Sequence, residues 1–425
     1  MTTAQLFIGA RQIVTCAGPP RARVGAELGD AGVVTDSAVL VRDGVVVSIA
    51  SARELRAANP AAEIVDCAGG VLTPGFVDSH THAIFGRARY EEQELRAAGA
   101  DYMEIARRGG GIHSSVRDLR ARSEDELFGL AVPRLMRLAA SGVTTVEVKS
   151  GYGLTLDDEL KTLRVVRRLA TALPLRIVPT FLGAHEIPLE QRERANGRRE
   201  YVDRVIHDMI PAIAEERLAR FADVFCEPGV FTVSESRELL IAARAAGLGI
   251  KLHADELAPG GGAELAAELG ATSADHLAAI SEPGIAALAS AGTVATLLPA
   301  TMLFLGKREQ APARRLIDAG VAIALATDFN PGTSPTTNFP IVLTLGVSRL
   351  GLSAAEAIVA STANGAAALA LAERTGQLAP GYSADLALWG VEDFRELPYW
   401  LGDGRCVASW TRGKPCHPRD LAVAC

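Results

Sequence analysis

Two histidines one residue apart close an apolar run, Gly75-Phe76-Val77-Asp78-Ser79-His80-Thr81-His82. Successive side chains of a strand point to opposite faces, so His80 and His82 project from the same face. That spacing suits two imidazoles on one metal ion. Chance also produces the HxH pattern, so its meaning depends on what the rest of the chain brings to it. Two further groups have the chemistry to complete a site: His253, within Lys251-Leu252-His253-Ala254-Asp255-Glu256, and Asp328, within Thr327-Asp328-Phe329-Asn330. Three neutral imidazoles and one carboxylate, with a position left for water, make a hydrolytic metal centre in which the bound water is acidified and a carbonyl polarised. The ligand set read from the residues is therefore His80, His82, His253 and Asp328. Glu256, three residues after His253, could reach over the metal as a proton shuttle, although a surface carboxylate on a loop is the plainer reading of that residue by itself.

The elements that must position these groups follow from the hydrophobic pattern. From Phe76 to about Asp328, strand-like runs (Gly75–His80, Thr144–Lys149, Leu175–Phe181, Ala222–Cys226, Gly249–His253, Ser273–His276, Thr293–Leu298, Ala322–Thr327) alternate with helical ones. The clearest helical stretches are Glu124–Ala140, Asp157–Ala172, Arg198–Arg217, Ser234–Ala246 and Gly262–Leu269. Eight such units with short connections predict an α/β fold, a parallel (β/α)8 TIM barrel. A doubly wound open sheet is the alternative, but no GxGxxG follows an early strand. In a barrel the reactive residues gather at the C-terminal ends of the strands. Of eight histidines, His80, His82, His185, His253 and His276 fall at such ends, whereas His113, His207 and His417 do not.

Both ends of the chain have a different texture. Short β-like pieces fill residues 1–72, with a hairpin signal at Arg42-Asp43-Gly44. After a last helical stretch, Ser353–Arg374, the chain turns strand-like again, as in Ser383-Ala384-Asp385-Leu386-Ala387-Leu388-Trp389. Residues 1–72 and 375–425 are expected to pair into one small β-sandwich domain beside a catalytic barrel of residues 73–374.

Three features point to a substrate. Arg89, seven residues after His82, could clamp a carboxylate with two parallel hydrogen bonds; a surface-charge role beside Arg87, Glu91 and Glu92 is the alternative. Tyr152 sits between two glycines, an exposed place for an aromatic and one suited to a ligand. Asn330-Pro331-Gly332-Thr333 forms a turn able to hold a polar group. Gly109-Gly110-Gly111 has no preceding strand and no GK[ST] ending, so it is not a phosphate cradle.

The net charge of −7 gives no basic footprint, which argues against nucleic acid as a partner. Six scattered cysteines without a CxxC read as a reduced protein, and no apolar run reaches the roughly 18 residues of a bilayer span. A cytoplasmic location, without membrane association, is the expectation.

Taken together, Pro74–His82, Val146-Glu147-Val148-Lys149-Ser150-Gly151-Tyr152-Gly153-Leu154, Phe181-Leu182-Gly183-Ala184-His185, Lys251–Glu256, Ser273-Ala274-Asp275-His276, Thr327–Ser334 and Gly381–Asp385 carry a resemblance. The chain resembles the amidohydrolase superfamily of metal-dependent hydrolases and, within it, the imidazolonepropionase family. That resemblance implies hydrolytic ring opening of a small anionic substrate, 4-imidazolone-5-propanoate, to N-formimidoyl-L-glutamate in histidine degradation. It implies one zinc or iron ion on His80, His82, His253 and Asp328. It implies substrate contacts from Arg89, Tyr152, His185, Glu256 and His276, with Asn330, Gly332 and Thr333 lining the product. Proton transfers fall to Glu256, His276 and Asp328 in an order the residues leave open, and a homodimer is favoured. Two-metal relatives carry a carboxylated lysine at the end of strand four; here that end is Cys226-Glu227, which argues for one metal. A deaminase or cyclic amidohydrolase acting on another heterocycle would use the same metal site, and a non-enzymatic assembly protein would have lost ligands that are all present here.

Overall fold

The computed structural model describes residues 4–99 and 110–417. Gly109 of the glycine run, Cys425 and the outermost residues of the expected small domain lie outside that range. Eight parallel strands follow one another: β1 (Phe76–Asp78), β2 (Val143–Lys149), β3 (Arg176–Ala184), β4 (Phe221–Cys226), β5 (Gly249–Ala254), β6 (Ser273–His276), β7 (Val294–Leu297) and β8 (Ile323–Leu325). Each is hydrogen-bonded to the next in sequence, without the reversal of strand order that marks an open doubly wound sheet. The ring is drawn together just beyond the first and last strands. Asp328 N donates to His80 O at 3.0 Å, His82 N to Phe329 O at 2.8 Å, and the buried Asp78 carboxylate accepts from Thr327 N (3.0 Å) and Oγ1 (2.6 Å). Every residue of β2 is buried, as both faces of a barrel strand require.

The helices between strands start where local chemistry stops the backbone from leaving N–H groups bare. Helix Glu124–Ala140 opens on a capping box. Ser123 Oγ accepts from Glu126 N and the Glu126 carboxylate accepts from Ser123 N. Its Leu127, Ala131, Leu135 and Leu138 recur at helical spacing and face the core.

Two of the expected helices are interrupted. The stretch Arg198–Arg217 divides into Gly197–Arg204, a π-helical turn Val205–Met209, and Ile210–Glu215. Pro211 has no N–H to return to the carbonyl four residues earlier, so the ladder widens there. In Ser353–Arg374, helix Ala354–Ala360 stops, and a second short helix, Ala363–Ala367, follows. Thr362 lies between them with its hydroxyl bonded back to Ile358 O at 2.7 Å, and Asn364 uses its amide on Arg23 and Ile323 rather than on solvent.

The two ends of the chain build two sheets. One joins Val45–Ser51, Ser37–Arg42, Ala4–Ile8 and Glu63–Asp66; its hairpin turns at Asp43 and Gly44, both at positive φ, as a two-residue turn of that kind requires. The other holds Lys414–His417, Cys406–Thr411 and Leu386–Trp389 against Val71–Pro74, Gln12–Val14 and Val33–Val34. The N- and C-terminal segments thus meet where Leu386–Trp389 pairs antiparallel with Val71–Pro74, a strand that runs past the expected boundary at 72. Strand alternation divides the second sheet's faces. Leu386 and Leu388 pack with Phe7, Val39 and Trp410 between the sheets, while Ala387 and Trp389 pack with Phe76 and Phe339 in the barrel core. Among the described residues no helix is long and apolar enough to cross a membrane.

Candidate metal centre and substrate pocket

Regular pairing of β1 stops at Asp78, short of the expected His80, yet the chain stays extended because Lys149 N bonds Thr81 O at 3.0 Å. His80 and His82 therefore still enter the barrel mouth side by side, with their Nε2 atoms 3.2 Å apart. His253, on β5, brings its Nε2 to 3.3 Å from that of His82. Asp328, just after β8, places Oδ1 3.5 Å from Nε2 of both His80 and His82, while Thr301 Oγ1 donates to its Oδ2 at 2.7 Å. The four predicted ligands share one buried spot. His276 and Asp328 both hold the left-handed backbone region, φ 80° and 52°, a strain that ordinary strand ends do not carry.

The outer nitrogens decide what the inner ones offer. His80 Nδ1 lies 2.7 Å from Asp275 Oδ2, and His253 Nδ1 lies 2.9 Å from Asp223 Oδ2. An ionised carboxylate only accepts, so Nδ1 of His80 carries the proton and its Nε2 presents a lone pair, while Asp223 Oδ1 accepts from His253 N at 3.1 Å and holds the backbone that carries that ring. Burial, followed by the nearby Lys149 ammonium, holds His80 well below the usual imidazole range, and burial with His185 does the same for His82. Neutral lone pairs that converge in this way repel one another unless a cation lies between them. Three imidazoles and a carboxylate are the donor set a divalent zinc-like ion takes.

Beneath the histidines lies a box of charge with no solvent exposure. Lys149 Nζ is 2.7 Å from Asp223, 2.8 Å from Glu147 and 3.7 Å from Asp275. Lys251 Nζ is 2.9 Å from Glu147 and 3.5 Å from Asp275, and donates to Ser79 O at 2.8 Å. Burial would push the Lys149 ammonium toward neutrality; Asp223, Glu147 and Asp275 outweigh it and hold its pKa above the ordinary lysine range. A protonated amine in this setting has no free lone pair, so Lys149 is not available for carboxylation as a ligand to a second metal. None of these orienting roles was read from the sequence. Their signal was charged residues inside barrel strands, with Lys251 two residues before His253 and Glu147 two before Lys149, on the same strand face.

Toward the mouth, Arg89 is nearly buried and lies 3.4 Å from Glu92, which also meets Arg96 at 3.4 Å and accepts from Gly111 N at 2.7 Å. Arg87 is exposed and pairs with Glu91 at 3.5 Å. Tyr152 is buried, contrary to the expectation that its glycine neighbours would expose it. Glu159, itself buried, collects the amides of Gly151, Gly153 and Leu154 and turns the loop inward. Its ring stands 5.4 Å from that of His185 and 6.0 Å from that of His82. His185 bonds Gly151 O through Nδ1 at 3.0 Å and stacks on His82 at 5.1 Å; burial lowers its pKa to about 3, so it is neutral. Glu256 Oε2 faces His276 Nε2 across 3.6 Å. Burial, then the charges of Asp328 and Glu227, pushes the Glu256 carboxyl well above its usual range, which favours its protonated form.

The turn after Asp328 uses its own polar groups. Asn330 Oδ1 accepts from the amides of Gly332 and Thr333, both at 2.8 Å, and Asn330 Nδ2 donates to Asp328 O at 2.7 Å. Gly332 leaves room for Arg89, since a Cβ there would stand 1.3 Å from Arg89 Nη2. A Gly332→Ala protein is therefore expected to fold and keep its metal but move the guanidinium. Its KM should rise while metal content, measured by elemental analysis, stays at one ion per chain; an unchanged KM would contradict this packing.

Residues 71–410 match the amidohydrolase family. The chain is 48% identical over 413 residues to the imidazolonepropionase of Symbiobacterium thermophilum, covering 96% of each chain. It is 44% identical to that of Solibacter usitatus, covering 97% of this chain and 99% of the relative. The chain belongs to the imidazolonepropionase family. It is accordingly a hydrolase with an amidohydrolase barrel. Its fold is also that of an adenosine deaminase from Xanthomonas campestris with bound zinc (TM-score 0.70, 19% identity, 99% of this chain and 96% of that one). Guanine deaminase of E. coli is similar in fold as well (TM-score 0.71, 16% identity, 98% of this chain and 100% of that one). Within the imidazolonepropionase family, the nearly buried Arg89 cation, whose charge acts on Tyr152 and His185, is the feature of this pocket that suits an anionic heterocycle.

Proposed function

We propose that this site opens the ring of 4-imidazolone-5-propanoate to N-formimidoyl-L-glutamate, the hydrolytic step of histidine degradation, with one zinc or iron ion held by His80, His82, His253 and Asp328. The observation that carries the assignment of roles is the nearly buried Arg89 guanidinium, close enough to Tyr152 and His185 for its charge to act on both. Such an ion supplies Lewis-acid polarisation of the ring carbonyl and a water acidic enough to attack at neutral pH. The chain's residues do the rest. Arg89 pairs with the propanoate tail, and Tyr152 and His185 hold the ring. Asp328 takes the first proton from the attacking water, and the N–H of neutral His276 steadies the developing oxyanion. Glu256 gives its proton to the departing ring nitrogen as the C–N bond beside the carbonyl breaks. The water oxygen ends in the new carboxylate, and Asn330, Gly332 and Thr333 line the product. The free thiols of Cys16, Cys226, Cys406 and Cys416 are in keeping with a reducing cytoplasm, and family resemblance favours a homodimer.

The test is loss of the ultraviolet absorbance of freshly prepared 4-imidazolone-5-propanoate, with and without a chelator. Turnover that stops on chelation and returns with zinc or iron is expected; a metal-loaded protein that leaves the substrate intact overturns the assignment. An Arg89→Ala enzyme should show KM raised about tenfold to a hundredfold, the worth of a charge-assisted hydrogen bond of ~1.5–3 kcal/mol. An unaltered KM would remove Arg89 as the carboxylate partner.

A further inference from the structure

Strand β4 ends at Cys226, and the carboxylate of the next residue, Glu227, is spent on three consecutive amides of another strand's loop. Its Oε2 accepts from Glu256 N at 3.0 Å, and its Oε1 accepts from Leu257 N at 3.1 Å and Ala258 N at 2.8 Å. The far end of the same loop hangs from Asp255. Its Oδ1 takes the amides of Gly260 and Gly261 at 2.7 and 3.0 Å, and its Oδ2 takes Ala263 N at 2.9 Å. Asp255 holds positive φ, 48°, which turns the chain sharply away from β5. The Glu256 side chain itself meets His276 only at 3.6 Å, too far to fix its place by hydrogen bonding. What determines where the Glu256 carboxyl enters the pocket is the backbone at Glu256, and Glu227 holds that backbone. Bonds from N–H to an ionised carboxylate are roughly twice as strong as neutral ones, and three adjacent amides on one carboxylate leave the segment little freedom.

We propose that Glu227 is a positioning residue for Glu256, acting on the reaction only by fixing the backbone from which the Glu256 carboxyl reaches the departing nitrogen. This rests on the proton-delivery role given to Glu256 above. Glutamine at 227 keeps the shape but turns an N–H2 toward an amide that needs an acceptor. Aspartate keeps the charge but falls short by one methylene.

The test is a double-mutant cycle on the metal-loaded enzyme, with kcat and KM measured for 4-imidazolone-5-propanoate. Glu227→Gln is expected to lower kcat by about 10²-fold, the cost of a catalytic group misplaced by ~1 Å, with KM and metal content little changed. Glu227→Asp should recover part of that loss. In a Glu256→Gln background the same Glu227→Gln change should lower kcat by less than about twofold, because the two residues act as one unit. An equal loss in both backgrounds would show Glu227 to be a loop support with no link to Glu256 and overturns the proposal, as does a Glu256→Gln enzyme with full kcat. If Glu227→Gln does not fold, the cycle is read with Glu227→Asp, whose loss must likewise vanish in the Glu256→Gln background. A wild-type enzyme that never opens the substrate fails the functional assignment; an active wild type with an additive cycle fails only this inference.

Discussion

An Asp328→Asn protein should lose about 10²–10⁴-fold in kcat, the range spanned by a positioned proton acceptor. Asp328 is placed to do two things at once. Its Oδ1 stands 3.5 Å from the Nε2 atoms of His80 and His82, and its Oδ2 accepts from Thr301. In the metal-free chain burial raises its pKa to about 6, against the pull of the Thr301 hydroxyl. Asparagine keeps the shape and the Thr301 bond but can neither bear charge nor accept a proton. The fold should survive, since the turn after it is held by Asn330 through main-chain and Thr333 contacts rather than by the Asp328 carboxylate. Steady-state kinetics at saturating zinc, with metal content measured on the same sample, checks this. A variant that retains both its metal and its rate would take Asp328 out of the proton path.

Lys149→Met tests the charge box and should act on two measurements together. The buried carboxylates Glu147, Asp223 and Asp275 would be left with Lys251 as their remaining cation in the box. Removing one partner from a buried ion pair costs ~3–5 kcal/mol, because the other charge stays in place without compensation. Urea unfolding of the metal-free protein should show a loss of that size. The second effect is on the metal. Asp223 and Asp275 orient His253 and His80, and loosening partners of this kind weakens metal binding about 10–100-fold. Competition against a chromophoric chelator measures it. A variant with native stability and native metal affinity would mean that Lys149 merely fills space.

The catalytic elements were legible in the sequence to different depths. Strand ends could be read because the alternation of β-rich and helical stretches is local, and in a barrel every strand end lies at the same mouth. That is why His80, His82, His253 and Asp328, spread over 249 positions, could be grouped before any contact was known. The hairpin at Asp43-Gly44 was equally local, set by residues within a few positions of one another. The broken helices were harder to read. Arg198–Arg217 reads as one helical stretch although it contains Pro211, and whether the chain kinks, stops or widens there depends on what packs around it.

The sequence by itself determined which chemistry was available: imidazoles and a carboxylate at strand ends, an arginine on the first loop, and a strand-four end without a lysine. Tertiary structure alone decided how that chemistry is set. Tyr152 is turned inward by Glu159, and the tautomer of His80 follows from Asp275 on another strand. For the opening pair of histidines, spacing explains why they point together; which nitrogen each presents depends on a carboxylate nearly 200 residues away for His80. Hydrogen-bond partners across a barrel are fixed by register and strand order, and neither is written in the residues next to the histidines.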